Sequence, residues 1–513
     1  MAAQNLTDVT AKALNLSLIT FGIVLTACLW RVFYMQKLHP LSGFPGPWYA
    51  TSFSVVGAII SVMGKEPEWI MYLVKRYGTD RPIRLSPTLL LFPKPSALKD
   101  IYRDPQCNLK GAVYRGGSLG PPHLVTTIDG DQHRRLRKAL SNGPWTIGPL
   151  KNAWESRFDD QISLFIRKFR EHAEANRTIC LADKVGEFAA DILGMISFTD
   201  PFGSVENQRD EKGLLENFRS GLYLFGFSGR FNFFRETILQ IPFLARLFLP
   251  SMSNQSGLGW LMWEADRQVS TREQQNAEKP FEGKPDFLQH CLDARYPDGS
   301  PLTPIEKRAH VTLLIQAGAD TTGTALGATL RFILTNPAVL ARVRAEIATA
   351  EASGLLSTPI RYDETRQHLP FFMACIKESL RLNPPAPNLF SRVMPKGGKV
   401  IDEHYVPGGT EVTCYAYSVQ RDKAFYGEDA EEYKPERWMQ SDQRTFELEA
   451  AQFTFGMGSR VCLGKDVAIM ELHKLLPEIF RRFDMDVKQP GKYTVIGGIA
   501  NNGDFSVGLR LRG

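Results

Sequence analysis

Apolar and polar positions divide the chain into an uncharged N-terminal run and a long, mostly helical body. Residues 13–30 are eighteen positions without a charge, about 27 Å of helix at 1.5 Å per residue. That approaches the thickness of a thin endoplasmic-reticulum bilayer. Residues 13–34 are therefore expected to anchor the chain in that membrane as a single pass, after a short luminal tail, 1–12. Trp30 and Tyr34 suit the interface. Arg31 and Lys37 behind the run, against Lys12 ahead of it, give a weak bias that faces the body to the cytosol. The run is long for the apolar core of a cleaved signal peptide, and no A-x-A site follows it. Asn5-Leu6-Thr7 would accept a glycan only on the luminal side. Next, 39–48 holds Pro40, Pro45 and Pro47, which exclude helix and favour stiff, extended backbone. Residues 35–50 read as a proline-rich hinge ahead of a body spanning 51–513.

Within the body, apolar positions recur at helical spacing over 154–173, 186–197, 303–335, 337–352, 371–382 and 463–480. Thr303-Pro304-Ile305-Glu306 is a capping box with proline at the first helical position. Asn336-Pro337 ends the same helix, predicted to be about 50 Å long. Short β-rich pieces at 393–394, 400–401 and 411–415 lie between glycine and proline turns. The fold class is mainly α with small β-sheets.

Composition narrows the functions. Apolar residues at 43% and charged residues at 23% are ordinary globular values. A net charge of +6 over 513 residues is too mild to argue for nucleic acid. The seven cysteines, at 28, 107, 180, 291, 375, 414 and 462, form no C-x-x-C pair, which removes zinc-ribbon, thioredoxin and c-type haem readings. Sparse thiols suit a reducing compartment. G-x-G-x-x-G, a complete P-loop and H-E-x-x-H are absent, so the chain shows no recognisable nucleotide or flavin site.

The most informative stretch is Phe455-Gly456-Met457-Gly458-Ser459-Arg460-Val461-Cys462-Leu463-Gly464. Its two glycines ahead of the cysteine permit a tight turn in which backbone approaches a flat ligand closely. A helical pattern follows, so Cys462 is expected at a helix N-terminus, where N–H groups and the dipole favour a thiolate. A thiolate so placed can ligate iron. The stretch fits F-x-x-G-x-R-x-C-x-G at every fixed position, and here the sequence resembles the cytochrome P450 family over about residues 40–513.

The resemblance implies a cytochrome P450 fold behind the transmembrane helix, with 51–513 as a haem-thiolate catalytic domain. It makes Cys462 the axial ligand of a haem b iron. Phe455, Gly456 and Gly464 would shape the ligand loop, and Arg460 would pair with a haem propionate. Arg137, four residues after His133 on one helix face, and Arg392 in Phe390-Ser391-Arg392-Val393 match further propionate partners. The family often has W-x-x-x-R where this chain has H-x-x-x-R. In Ala317-Gly318-Ala319-Asp320-Thr321-Thr322, Asp320 and Thr321 match the acid–alcohol pair that relays protons to bound O2. Gly318 costs about 1 kcal/mol relative to alanine in a helix, and the resemblance implies the reason, a local widening beside Ala317 that makes room for O2. Taken alone, the same residues would be a buried Asp paired with an Arg and a Thr bonded back to its own helix. Glu378 and Arg381, three apart, and Arg437 in Pro435-Glu436-Arg437-Trp438 match a buried structural charge network.

The implied partners are an NADPH-cytochrome P450 reductase, with cytochrome b5 as an optional second donor, and an apolar small molecule. Lys465, Lys138 and Arg134 are candidates for the docking face. Residues 221–250 hold Phe225, Phe227, Phe231, Phe233, Phe234, Phe243 and Phe248, interleaved with Arg230, Arg235 and Arg246. They read either as a core helix pair or as a flap dipping into the membrane surface. Phe225, Phe227, Leu314, Leu389, Phe390 and Ile499 are candidate pocket residues, from walls expected at 113–122, 314–317, 387–390 and 499–502. The pattern is similar to filamentous-fungal members that decorate secondary metabolites. The function implied is O2-dependent oxidation of a bulky apolar substrate: hydroxylation, epoxidation or a multi-step course. The alternatives are a reductase-independent isomerase or dehydratase, which tends to lose the acid–alcohol pair, and a non-enzymatic haem sensor or carrier.

Overall fold

The computed structural model describes residues 2–512 apart from 116, 142, 144 and 283–285. Side chains of 2–13 lie outside the described part, and with them the Asn5 acceptor and Lys12. The N-terminal helix runs Ala2–Phe33 and continues as a wider π-helical turn, Tyr34–Leu38. Within it Leu14–Leu38 is long and apolar enough to cross a membrane; its apolar stretch is bare, and Met35 near its end is buried against the body. The stretch expected to be an extended hinge differs from that expectation. Its first residues stay helical, and 39–44 forms turns closed by Ser42 N–H to His39 O (2.8 Å) and Phe44 N–H to Leu41 O (3.2 Å). It is also tied down. Arg31 Nε donates to Ser52 O at 2.8 Å, Gln36 Nε2 to Thr51 Oγ1 at 2.7 Å, and buried Arg84 donates to Met35 O at 2.8 Å.

The body is built around the helix Pro304–Leu334. The predicted capping box forms: Thr303 Oγ1 accepts the Glu306 N–H at 3.2 Å, and the Glu306 carboxylate accepts the Thr303 N–H at 2.8 Å. This helix packs along Leu181–Phe198, which is buried throughout from Val185 onward. A Cβ at Gly323 would lie 2.8 Å from Gly186 Cα, so the close crossing of the two backbones leaves no room for a side chain at Gly323. Helices Glu155–Glu174, Pro337–Ala352, Pro370–Leu382 and Lys465–Arg482 complete the core around it. Each matches a predicted helix to within two residues at either end.

A four-stranded sheet runs in the order Ile83–Arg84, Leu89–Leu91, Glu411–Thr413, Arg392–Val393. Its middle pair is parallel and its outer pairs are antiparallel. Lys399–Ile401 pairs with His404–Val406. The hairpin Phe483–Ile496 with Ile499–Leu511 turns at Gly497-Gly498, both at positive φ, as a two-residue hairpin turn requires. Its first strand opens with a strict apolar–polar alternation, Phe483-Asp484-Met485-Asp486-Val487-Lys488, which the reading of short β-rich pieces passed over; the pattern then breaks at Gln489-Pro490-Gly491.

Candidate active site

The Phe455–Gly464 stretch folds as an open loop ahead of the helix Lys465–Arg482. Gly456 and Gly458 take φ of 71° and 68°, and a Cβ at Gly458 would strike the Tyr102 carbonyl. The Cys462 N–H closes the loop onto Phe455 O at 2.8 Å. Burial pushes the Cys462 thiol up, against the pull of the Gly464 N–H and the charges of Arg137 and Lys465. Yet the Cys462 side chain itself is open. Desolvated surroundings around an open side chain mean that it faces an internal cleft rather than bulk solvent. The helix Pro304–Leu334 has an open face as well. Ala317 is exposed between buried Gln316 and Ala319, and Leu314 and Thr321 are partly open. Positions 314, 317 and 321 are spaced by three and four, so they form one stripe.

Beside the cysteine loop lies a cluster of cations. Arg137 Nη1 donates to Val461 O at 2.7 Å, joining the helix Gly130–Ser141 to the loop. Arg460 donates to Asn108 O, and its Nη1 is buried without a partner. Arg392 donates to Ser391 O at 3.0 Å and stands over the Tyr102 ring at 5.1 Å. His133 is buried on the same helix as Arg137. Burial, then Lys110, Arg460, Arg137 and Arg392, pushes its pKa down to about 2, so its imidazole is neutral rather than a cation. Burial and then Arg392 push Arg460 down to about 10.

Two further members join this group: Lys110, absent from the sequence-derived set, and Tyr114, which that set held only within the expected wall 113–122. Buried Lys110 donates to Leu124 O at 2.9 Å and Val125 O at 2.6 Å, and its pKa is driven down by burial and then by Arg460 and Arg392. Tyr114 is buried beneath it, 5.1 Å from the Lys110 Nζ to the ring centroid. The only sequence signal for Lys110 was a lysine without a nearby carboxylate in Asn108-Leu109-Lys110-Gly111-Ala112-Val113-Tyr114. Every hydrogen bond these four cations make among the described residues goes to a carbonyl. Unneutralised positive charge in a desolvated cleft calls for a bound anion of more than one charge. The two carboxylates of a haem beside a cysteine sulfur satisfy that demand, so the residues present fit the group.

On the central helix, Asp320 is buried and burial raises its pKa, while Arg219 Nε donates to its Oδ1 at 2.7 Å and pulls it down. Oδ2 has no partner. Thr321 Oγ1 donates to Ala317 O at 2.7 Å. Both bonds are those of an ordinary buried Asp and a back-bonded Thr, but the orphaned Oδ2 is not explained by them. The expected widening at Gly318 is not seen: the helix is α-helical from Pro304 to Leu334. Gly318 is needed for another reason, since a Cβ there would lie 2.5 Å from Leu193 Cδ1.

The pocket candidates separate into groups. Phe225, Leu314 and Ile499 share one apolar cluster, with the Gly497-Gly498 turn pressed against Phe225. Phe390 packs instead toward Phe453 at 6.2 Å, and Leu389 lies with Ile70 and Tyr415. Phe227 lies in the last turn of the helix Leu214–Arg230 and meets the elbow that follows, 5.2 Å from Phe234 and 5.5 Å from Phe231. Beyond the elbow the helix Pro242–Phe248 has no buried residue, and Phe243 and Leu247 are 76% and 69% exposed. Arg230 and Arg235, in contrast, point inward.

Glu378 and Arg381 are both 0% exposed and doubly bonded, at 2.7 and 2.8 Å. Arg437 approaches Glu378 at 3.5 Å, and Trp438 Nε1 donates to it at 2.9 Å. Lys465, Lys138 and Arg134 are all exposed, and Arg134 pairs with Asp131 at 3.0 Å.

The chain matches the cytochrome P450 family over residues 52–496. It is similar to quiannulatic acid synthase of Emericella variicolor, at 30% identity over 468 residues, covering 89% of this chain and 90% of that one. It is also similar to cytochrome P450 monooxygenase aba1 of Botryotinia fuckeliana (strain B05.10), at 28% over 464 residues and 88% of each chain. Pisatin demethylase of Fusarium vanettenii is 28% identical over 480 residues, 93% of this chain and 89% of that enzyme.

Proposed function

The chain belongs to the cytochrome P450 family, and from that premise we propose that it is a membrane-anchored monooxygenase that oxidises a bulky, mostly apolar intermediate of a fungal secondary-metabolite pathway. Similarity to a synthase of quiannulatic acid and a demethylase of pisatin supports the substrate class. The observation that carries the reading is the open Cys462 in a desolvated cleft beside buried, unneutralised cations. Cys462 would hold the iron of haem b, and Lys110, Arg137, Arg392 and Arg460 its propionates, with His133 and Tyr114 as neutral neighbours. Haem bound there supplies an iron centre that activates O2 with electrons from a redox partner.

The chain's own residues handle protons and orientation. Arg219 fixes one oxygen of Asp320 and leaves the other, Oδ2, to take up and release a proton. Desolvation keeps that carboxyl easier to protonate than an exposed one. Thr321 spends its hydroxyl hydrogen on Ala317 O, which turns its lone pairs toward the open stripe as an acceptor. Phe225, Leu314 and Ile499 would exclude water around an apolar substrate.

Electrons would come from an NADPH-dependent reductase docking on the exposed face that carries Lys465 and Lys138. The endoplasmic-reticulum membrane is the proposed location. The Leu14–Leu38 helix and the bare apolar surface of Pro242–Phe248 support it. Full-length protein expressed with a reductase should give the reduced, CO-bound absorption band of thiolate ligation and consume NADPH when substrate is added. Cys462→Ala should lose the band, and its persistence would sink the assignment.

A further inference from the structure

A small cavity of about 50 Å³ is bordered by Val113 and Ser391, which precede Tyr114 and Arg392 of the cation cluster. Its walls come from the helix Glu66–Tyr77, the end of Leu214–Arg230, the short helix Asn232–Glu236, and the segments around Leu389 and Glu411. Its volume suits one functional group, not a whole substrate.

Three N–H donors on its lining residues are buried without an acceptor: Trp69 Nε1, Arg230 Nη1 and Arg235 Nε. None of the three atoms can accept a hydrogen bond, so only an acceptor can satisfy them. Both oxygens of Glu66 and one of Glu411 are already engaged. Glu66 takes Arg230 Nε at 2.9 Å and Nη2 at 3.0 Å, and Glu411 takes Ser391 Oγ at 2.8 Å. Buried donors without partners are costly, and such sites discriminate strongly for ligands that supply the missing oxygen.

Charge narrows the class further. Arg230 is neutralised by Glu66, and Arg235 pairs with Glu236 at 3.2 Å. Glu411 meets a hydroxyl but no cation. An anion would therefore face an uncompensated carboxylate. We infer that the cavity binds a neutral oxygen acceptor of the substrate, such as a ketone, ester or lactone, at the end remote from the carbon oxidised.

Leu389 and Ser391 border the cavity, and Arg392 of the cation cluster follows directly. From Leu389 to Arg392 is three residues, and the Ser391 N–H bonded to Leu389 O at 2.7 Å turns the chain, so the span stays within the roughly 10 Å of three extended residues. A rigid apolar body of no more than about that length would join the two ends. The inference rests on the monooxygenase reading only in taking the occupant to be the substrate.

The test is equilibrium dialysis of full-length, haem-loaded protein in phosphatidylcholine nanodiscs, with empty nanodiscs subtracted. The probes are 5α-androstane, 5α-androstan-3-one and 5α-androstane-3-carboxylate. The ketone should bind about 10–100-fold more tightly than the hydrocarbon. Trp69→Phe, which removes one donor and keeps an aromatic wall, should cut that preference severalfold. It is the variant of choice because Arg230→Gln would strand Glu66 and endanger folding. Equal binding of ketone and hydrocarbon, no binding of the ketone, an unchanged preference in Trp69→Phe, or tighter binding of the carboxylate would each overturn the inference. Loss of the reduced, CO-bound band in the parent protein is a separate readout and would count against the monooxygenase reading instead.

Discussion

Substituting Glu378→Gln removes the single anion of a fully buried network. Its carboxylate receives Arg381 Nε at 2.7 Å, Arg381 Nη2 at 2.8 Å, the Lys434 N–H at 3.1 Å and Trp438 Nε1 at 2.9 Å. Glutamine keeps one acceptor oxygen and turns an NH2 group toward donors. At least two charge-assisted bonds are lost, at about 1.5–3 kcal/mol each. Stranding a buried guanidinium independently predicts about 3–5 kcal/mol. For a body of this size, 1 kcal/mol moves the thermal midpoint by roughly 1–2 °C, by extension from smaller domains. The expected fall is therefore about 3–10 °C by scanning calorimetry of the haem-loaded protein.

Arg342 and Glu436 provide the control. They pair at 2.8 Å, nearly the same distance, but are 48% and 47% exposed. Glu436→Gln, which leaves Arg342 stacked over the Phe371 ring at 3.8 Å, should fall by no more than about 2 °C, because exposed pairs contribute about 0–1 kcal/mol. If Glu378→Gln melted within about 1 °C of the parent, or the two variants fell equally, the argument from burial would be refuted.

Three further outcomes are expected. Burial holds His123 and His473 down to about 3, below the usual 6.5, so the unfolded chain binds protons that the folded one refuses. Their contribution to stability is full above pH 6.5 and is lost as pH falls toward about 3; His473→Phe should flatten that slope in urea titrations, and an unaltered slope would contradict it. Thr321→Val should lower product formed per NADPH consumed by about tenfold or more, within the usual range for a proton-transfer group; unchanged coupling would remove Thr321 from the relay. Protein lacking residues 2–30 should still sediment with phosphatidylcholine vesicles, and Phe243→Asp with Leu247→Asp should release it; retention of that double variant would show that Pro242–Phe248 does not touch lipid.

Local signals were legible in the sequence where a short-range rule decides the structure. The capping box at Thr303, the stop at Asn336-Pro337 and the three-residue spacing of Glu378 and Arg381 all appear as read. What escaped depends on long-range partners. Arg219 reaches Asp320 across 101 positions, and Lys110 enters the cation cluster through a strand-like bridge to Arg392. Nothing near either residue announces the contact. Gly318 shows a third kind of miss, a glycine noticed for good reason but required by Leu193 rather than by a widened helix.

The junction at Arg31, Met35 and Gln36 makes the orientation of the body a matter of helical phase. The anchor reaches these contacts as unbroken helix, so its faces and those of the body turn together. One residue inserted ahead of Arg31 would rotate the lipid-facing side chains by about 100° about the helix axis relative to the body, and a full turn needs 3.6 residues. Anchors exchanged between related proteins should therefore be matched in register as well as in length and hydrophobicity, because an apolar helix cut one residue off would present the enzyme to the bilayer on a different side.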